Sequence, residues 1–323
     1  CCPCAYNGVS CPYDPPPLGI EILPPKVLMR SMACQPLKRQ RLGTCTLYTT
    51  MACPYAHRAM LALELRPCPN VHLALITTTN QFTTLDRLGM SHGDSLGMFA
   101  GTTVEDLRQA KNSFVRDINP SGEVPALCLE SGDVVIESEI VSEYIDAVSD
   151  HDSSRLVPSD PFAAARTRLA LKRFSAVPPA MVALLKNQDE ICDEALTAAL
   201  DMALERFVAS IEGDAFCFGN TCSLADVHAA PFIFRFGTVL HHYRGYSLTG
   251  RHPRLGLLLD AMEGLPAWKR CLNPADGAYP PVTKDRLNAL YAVYANNGIW
   301  ADGPDGPVLA GRGKVTMRCC AKD

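Results

Sequence analysis

The sequence predicts an α/β half followed by an all-helical half. Strand, helix and strand succeed one another between residues 45 and 76 at the spacing of a βαβ unit. A second pair of β-prone runs, 126–129 and 134–136, is joined by the turn Ser131-Gly132-Asp133 and leads into a helix ending at Val148. Past a polar, proline-containing linker at 151–161, the clear apolar periodicities are all helical. The resulting organisation is a Pro/Cys-rich leader (1–43), an α/β domain (44–150), the linker, a helical domain (162–300) and a Gly/Pro-rich tail read as disordered (301–323).

The run 45–49 is β-prone, and the next helical pattern opens at Pro54, which suits the first helical position because it lacks an N–H and has a helical φ. Ala59, Leu61, Ala62, Leu63 and Leu65 spread over most of that helix, so it should pack against a sheet before Arg66-Pro67-Cys68-Pro69-Asn70 stops it. Residues 71–76 read as a strand buried on at least one face, 77–101 as a long loop, and 104–114 as a weak helix. Ser138 is placed to cap the next helix, whose stripe is Ile140, Val141, Tyr144, Ile145 and Val148. In the second half the helices span 162–177, 189–211 and 223–240. Leu196, Leu200, Ala203, Leu204 and Phe207 share one face, and Ser223-Leu-Ala-Asp226 resembles a capping box.

Composition narrows the function. With 47% hydrophobic and 20% charged residues the chain reads as globular, and a net charge of -4 carries no nucleic-acid footprint. The richest apolar run, 195–211, is broken by Asp201, Glu205 and Arg206, so no membrane span is expected. The 15 cysteines are dispersed, many in apolar surroundings, as in proteins of a reducing compartment. The expected location is cytoplasmic. Two acids against five bases within 1–43 keep organellar targeting as the alternative. Cys1, Cys2 and Cys4 have no downstream partner pair at ligand spacing, so no metal is expected.

The chemistry concentrates at Cys53. A cysteine at a helix start meets unpaired N–H groups and the positive end of the dipole, which favour thiolate. Ala56 occupies the place of a second cysteine, so a resolving thiol must come from elsewhere. One turn on, His57 reads as a surface residue and Arg58 as a structural ion-pair partner that helps the thiolate if it folds back. Glu137 and Ser138 at a helix start offer a carboxylate, N–H groups and a hydroxyl to a zwitterionic ligand.

Taken in order, the βαβ unit, Val124-Pro125 before a hairpin, Glu137-Ser138 opening a helix and the helical half resemble the glutathione transferase family over roughly residues 45–272. The segment Cys53-Pro54-Tyr55-Ala56-His57-Arg58 is similar to the Cys-Pro-Phe/Tyr-Ala-x-Arg motif of the omega and lambda classes. A Cys-Pro-Trp-Ala-His-Arg form marks the glutathionyl-hydroquinone reductases, towards which His57 leans. The Asn119-Pro-Ser-Gly-Glu-Val-Pro125 and Glu137-Ser-Glu-Ile140 segments look more like omega.

The resemblance implies a thioredoxin-like N-terminal domain followed by an all-helical C-terminal domain. Cys53 is then the nucleophile, Val124 pairs its backbone with glutathione, Pro125 is cis, and Glu137 and Ser138 hold the γ-glutamyl end. Lys111 lies near the glycyl carboxylate and Arg235 faces the acceptor pocket. The implied activity is glutathione-dependent thiol transfer or reduction of small oxidised acceptors by a homodimer, with glutathione as cosubstrate and no metal. Glutathionyl-hydroquinone reduction and a non-enzymatic interaction module of the same fold are the competing readings. The loop 77–110 is longer than the omega pattern needs, and the leader and tail match nothing in the family.

Overall fold

The computed structural model describes residues 43–51, 53–68, 70–76, 104–151, 155–274, 281–303 and 306–314. The described residues group as one compact unit. The leader, apart from Gly43, the loop 77–101 and the tail beyond residue 314 lie outside the described residues.

Strand β1 (Cys45–Thr49) lies between β2 (Val71–Leu75) and the hairpin β3 (Ala126–Cys128) and β4 (Val134–Ile136). The order is β2-β1-β3-β4, with β1 and β2 parallel across helix α1 (Pro54–Leu65) and β3 antiparallel to both its neighbours. Helix α2 (Val104–Asp117) precedes β3, and α3 (Ser138–Val148) follows β4 and packs beside α1. Alternation along β1 buries Cys45, Leu47 and Thr49. The strand predicted at 71–76 is an edge of the sheet: none of Val71–Leu75 is fully buried, and Leu73 is 44% exposed.

Among the described residues eight further α-helices build the second half. They are α4 (Pro161–Phe174), α5 (Val177–Lys186), α6 (Asp193–Val208), α7 (Leu224–Arg244), α8 (Leu248–Arg251), α9 (Pro253–Gly264), α10 (Pro266–Leu272) and α11 (Lys284–Ala295). The helix predicted over 162–177 is two helices, because Val177-Pro178-Pro179 removes two N–H donors and begins a new first turn. Helix α7 is the hub. It is buried on all sides from Leu224 to Phe236 and packs against α1, α4, α5, α9 and α11. Its start is the capping box: Asp226 accepts from the Ser223 N–H at 2.8 Å, the Ser223 hydroxyl at 2.6 Å and the Cys217 N–H at 2.7 Å.

One apolar core runs through both halves, from Leu47, Leu61 and Val141 to Phe174, Phe232 and Trp268. A buried ion pair, Arg66 to Asp146 at 3.1 Å, fastens α1 to α3, and the same carboxylate accepts from the N–H groups of Leu156 and Val157 in the linker.

The segment read as a disordered tail is folded where it is described. Strands β5 (Trp300–Gly303) and β6 (Gly306–Leu309) form a hairpin, and Arg312 pairs with Asp193. The Arg312 N–H donates to Gln188 at 2.8 Å and Asn296 donates to the Gly313 carbonyl at 2.7 Å. Polar side chains from distant helices satisfy this backbone, and Leu309 is buried.

Candidate active site at Cys53

Cys53 is the N-cap of α1, extended in backbone (φ -80°, ψ 122°), with Pro54 at the first helical position and the His57 N–H donating to its carbonyl at 3.1 Å. It is a partly exposed free thiol. Burial pushes the thiol above its ordinary range, while the N–H groups of Ala56 and Tyr55 and the charges of Arg235 and Arg58 pull it down. A thiolate favoured by the helix start was the expectation. In the free chain desolvation outweighs the helix end.

Two buried guanidiniums flank this turn. Arg58 folds back, as allowed for, yet its hydrogen-bond partners are neutral: the His228 carbonyl of α7 at 3.0 Å and the Ser138 hydroxyl at 3.1 Å. It sits against the rings of Phe232 (4.6 Å from the centroid) and Tyr55 (5.1 Å), and burial lowers its pKa to about 10. The expected structural ion pair is absent among the described residues. Arg235 is fully buried, donating to the Met51 carbonyl and to His57 Nδ1, each at 2.8 Å. It therefore braces the loop before Cys53 and does not face an open acceptor pocket.

His57 also departs from expectation. It is buried, stacks on Trp268 with ring centroids 4.8 Å apart, and burial with Arg235 nearby lowers its pKa well below the usual range. Because Arg235 donates to Nδ1, the neutral ring carries its proton on Nε2.

The opposite flank is built from local turns. The Val124–Pro125 peptide is cis, and Val124 precedes β3 with its backbone at the start of the hairpin. Asn119, buried, shapes the approach: its amide donates to the Glu123 carbonyl at 2.8 Å and its oxygen accepts from the Ser121 hydroxyl at 3.0 Å. Sequence reasoning quoted this segment without giving Asn119 a role, although Asn ahead of Pro-Ser-Gly is the signal of such a turn. Gly122 has φ +69°, and a side chain there would meet Lys111 Nζ at 3.1 Å. Lys111 donates to the Gly122 carbonyl and lies over Phe114, and burial lowers its pKa. The structure thus commits Lys111 to this loop.

Glu137 caps α3 at φ 69° with no side-chain capping bond, and its exposed carboxylate makes no ion pair among the described residues. Ser138, expected as the cap, is the first helical residue, and its buried hydroxyl is held by Arg58. A left-handed backbone at a glutamate is strained. The strain aims a free carboxylate outward beside the N-terminus of α3.

A strand–helix–strand unit, a cis-proline hairpin and a helix start of this kind, followed by a helical domain, can hold an extended peptide beside a thiol. Comparison with known proteins decides the family. The description "Glutathione S-transferase, N-terminal domain" matches residues 52–148, and "Glutathione S-transferase, C-terminal domain" matches residues 164–265. The chain belongs to the glutathione transferase family.

Within that family the chain is 28% identical to glutathione S-transferase omega-1 of Mus musculus over 146 residues, covering 45% of this chain and 58% of that protein. It is 41% identical over 98 residues to a probable glutathione transferase omega-2 of Caenorhabditis briggsae, covering 29% of this chain and 38% of that protein. These alignments thus span less than two thirds of each relative. Glutathione transferase Omega 3C of Trametes versicolor shares the fold with a TM-score of 0.59 at 21% identity, covering 80% of this chain and 93% of that one. Among the described residues no helix is long and apolar enough to cross a membrane, and no group of His, Cys, Asp and Glu is arranged to hold a metal ion.

Proposed function

We propose that this member of the family is an omega-like, glutathione-dependent thiol transferase or reductase with Cys53 as its nucleophile. One juxtaposition carries the reading: a lone thiol at the start of α1, with Ala56 where a second cysteine would stand, next to Arg58, which reaches Ser138 at the start of α3. Glutathione supplies the missing thiol. Val124 offers its backbone N–H and C=O to the extended tripeptide as a strand edge does. Glu137 takes the ammonium and Ser138 the α-carboxylate of the γ-glutamyl end. Pro125 sets the direction of that edge, and Lys111 supports it through Gly122.

In the first step the Cys53 thiolate attacks the glutathione sulfur of a mixed disulfide. The Cys53–glutathione disulfide forms and the acceptor leaves as its thiolate. In the second step a glutathione thiolate attacks that adduct, which releases oxidised glutathione and restores the Cys53 thiolate. The acceptors are small oxidised molecules. Mixed disulfides react as written. From a glutathionyl-ketone the leaving group is the enolate, which takes a proton to become the ketone, and dehydroascorbate is reduced to ascorbate as two glutathiones become oxidised glutathione. Burial raises the pKa of the free thiol, so in this mechanism ligand binding lowers it or supplies the base.

The working form is a homodimer in a reducing, cytoplasmic compartment. Ile136, Ile140 and Leu169, on β4, α3 and α4, are 42, 57 and 49% exposed and are the surface a second copy would cover. Ile140→Glu is expected to give monomers in size-exclusion chromatography with light scattering.

The deciding experiment compares wild type with Cys53→Ser in glutathione-dependent reduction of a mixed disulfide, with intact mass after oxidised-glutathione treatment. Activity and a single adduct at Cys53 in wild type, both lost in the variant, are expected. Unchanged activity in Cys53→Ser refutes the mechanism.

A further inference from the structure

Arg58 is a buried cation held by neutral groups. Its side chain lies against Tyr55 and Phe232, and Nε donates to the His228 carbonyl and Nη1 to the Ser138 hydroxyl. Among the described residues no carboxylate pairs with it directly, the Glu139 charge acting only from farther off. Removing a guanidinium from water without an anion is costly, and hydrogen bonds to a carbonyl and a hydroxyl recover only part of that loss. A buried guanidinium at the start of α3, beside the proposed γ-glutamyl site, suits an anion that arrives from outside.

The geometry at Ser138 says where. A serine hydroxyl has one proton and two lone pairs. Arg58 Nη1 occupies a lone pair at 3.1 Å, which fixes the hydroxyl's orientation and leaves its proton to be donated elsewhere. A charged donor on the oxygen also polarises the O–H and makes it a stronger donor. Ser142 donates to the Ser138 backbone carbonyl at 2.7 Å, so that neighbouring hydroxyl does not compete for the side chain. The hydroxyl proton, the N–H groups of the first turn of α3 and the positive end of its dipole then act on one anion.

We propose that Arg58 is a positioning residue for glutathione binding. It acts through Ser138 to prepare the start of α3 for the α-carboxylate of the γ-glutamyl residue, which adds a negative charge to the Cys53 and Glu139 groups that already act on Arg58 from farther off. This rests on the reading of Glu137 and Ser138 as the γ-glutamyl site. It adds that a residue of the Cys53 helix, anchored on α7, controls that site.

The test is a cycle between protein and ligand. The probes are glutathione and 4-aminobutyryl-cysteinyl-glycine, which is glutathione without the α-carboxylate but with its amine. Binding to wild type and Arg58→Met is measured by titration calorimetry, with circular dichroism to verify folding. For glutathione, Arg58→Met is expected to weaken binding about tenfold, as for loss of one charge-assisted hydrogen bond. For the decarboxylated peptide the two proteins are expected to bind alike. Ser138→Ala should show the same selectivity, and the double variant should be no weaker than Ser138→Ala alone, since one acts through the other.

Equal weakening for both peptides, or additive losses in the double variant, would mean that Arg58 only supports the fold and would overturn the proposal. Should Arg58→Met fail to fold, Arg58→Lys carries the same test, because one ammonium cannot span the His228 carbonyl and the Ser138 hydroxyl as the guanidinium fork does. A loss confined to glutathione supports the proposal and an equal loss refutes it. Failure of wild type to bind glutathione at all refutes the site reading itself, which separates the two ideas.

Discussion

The two flanks of Cys53 are built in opposite ways. On one, buried charged and aromatic groups bridge positions far apart in sequence: Arg58 to His228, Arg235 to His57, and Arg235 to Met51 are separated by 170, 178 and 184 residues. On the other, the bonds are local, with Asn119 reaching Ser121 and Glu123, and Lys111 reaching Gly122 only 11 residues on. The thiol's surroundings therefore exist only once α7 has docked on α1. The peptide-binding edge is shaped by the hairpin and turn beside it. Packing of the helical domain should set reactivity, and turn chemistry should set ligand affinity.

The largest break in that contrast is expected at Arg235. Arg235→Leu leaves the Met51 carbonyl and His57 Nδ1 without their donor in a fully buried place. A loss of about 3 kcal/mol is expected from urea unfolding, the size seen when buried hydrogen-bonded charges are truncated. Alkylation of Cys53 by iodoacetamide should also slow at a given pH, because a nearby positive charge is gone. A variant of wild-type stability with unchanged alkylation would show that the docking side contributes nothing to the thiol.

His57 gives the next effect, and it has a sign. Its folded pKa lies well below the ordinary value of 6.5, so below that pH the unfolded chain takes up a proton that the folded chain refuses. Stability is therefore retained above about pH 6.5 and falls by about 1.4 kcal/mol per pH unit below it for each such group. His228, buried and lowered in the same way, adds a second group of this kind. His57→Gln keeps an acceptor for Arg235 and cannot titrate. Between pH 7.5 and 5.5 its urea midpoint should fall less steeply than that of wild type, by about one such group. Parallel slopes would mean that His57 is not held neutral by the fold.

These two flanks were also unequally legible in the sequence. The Ser223–Asp226 box, the hairpin turn at 131–133 and the helix start at 137–138 could be placed because turn and cap chemistry is written within a few residues. The cis Val124–Pro125 peptide comes from the family pattern, and the Arg58 bond to Ser138, 80 residues off, leaves no local signal. Arg235 and His57 were misplaced for the converse reason. Nothing in the spacing of a histidine on α1 or an arginine on α7 reveals that they meet across 178 residues; polarity argued for the surface at His57, and the family pattern for the acceptor pocket at Arg235. The tail failed similarly, since residues 311–313 are held by Gln188, Asp193 and Asn296 and not by any pattern of their own.

At the ligand edge a smaller effect of the other sign is expected. Glu137 occupies φ 69° with no capping bond to recompense it, so Glu137→Gly should relieve strain and raise stability by about 1 kcal/mol, after allowing for the greater freedom of glycine in the unfolded chain. Glutathione binding should weaken about tenfold, as for loss of a charge-assisted contact to the ammonium. Calorimetry and urea unfolding on one protein preparation would show both. A destabilised variant with intact binding would place Glu137 among the structural residues.

The smallest effect sharpens the role of Lys111. Its ammonium donates to the Gly122 carbonyl and lies over Phe114, so the loop already uses it. If it acts through that loop, Lys111→Met should weaken glutathione and its glycyl monoethyl ester alike, by about threefold, the scale of one partly exposed hydrogen bond. A lysine that pairs directly with the glycyl carboxylate would instead weaken the acid and spare the ester. The Gly122 contact favours equal losses, because it ties the ammonium to the turn before Val124, although two of its three N–H donors stay available to a second acceptor. On that outcome the glutathione edge is held from behind by α2, just as the thiol is held from behind by α7.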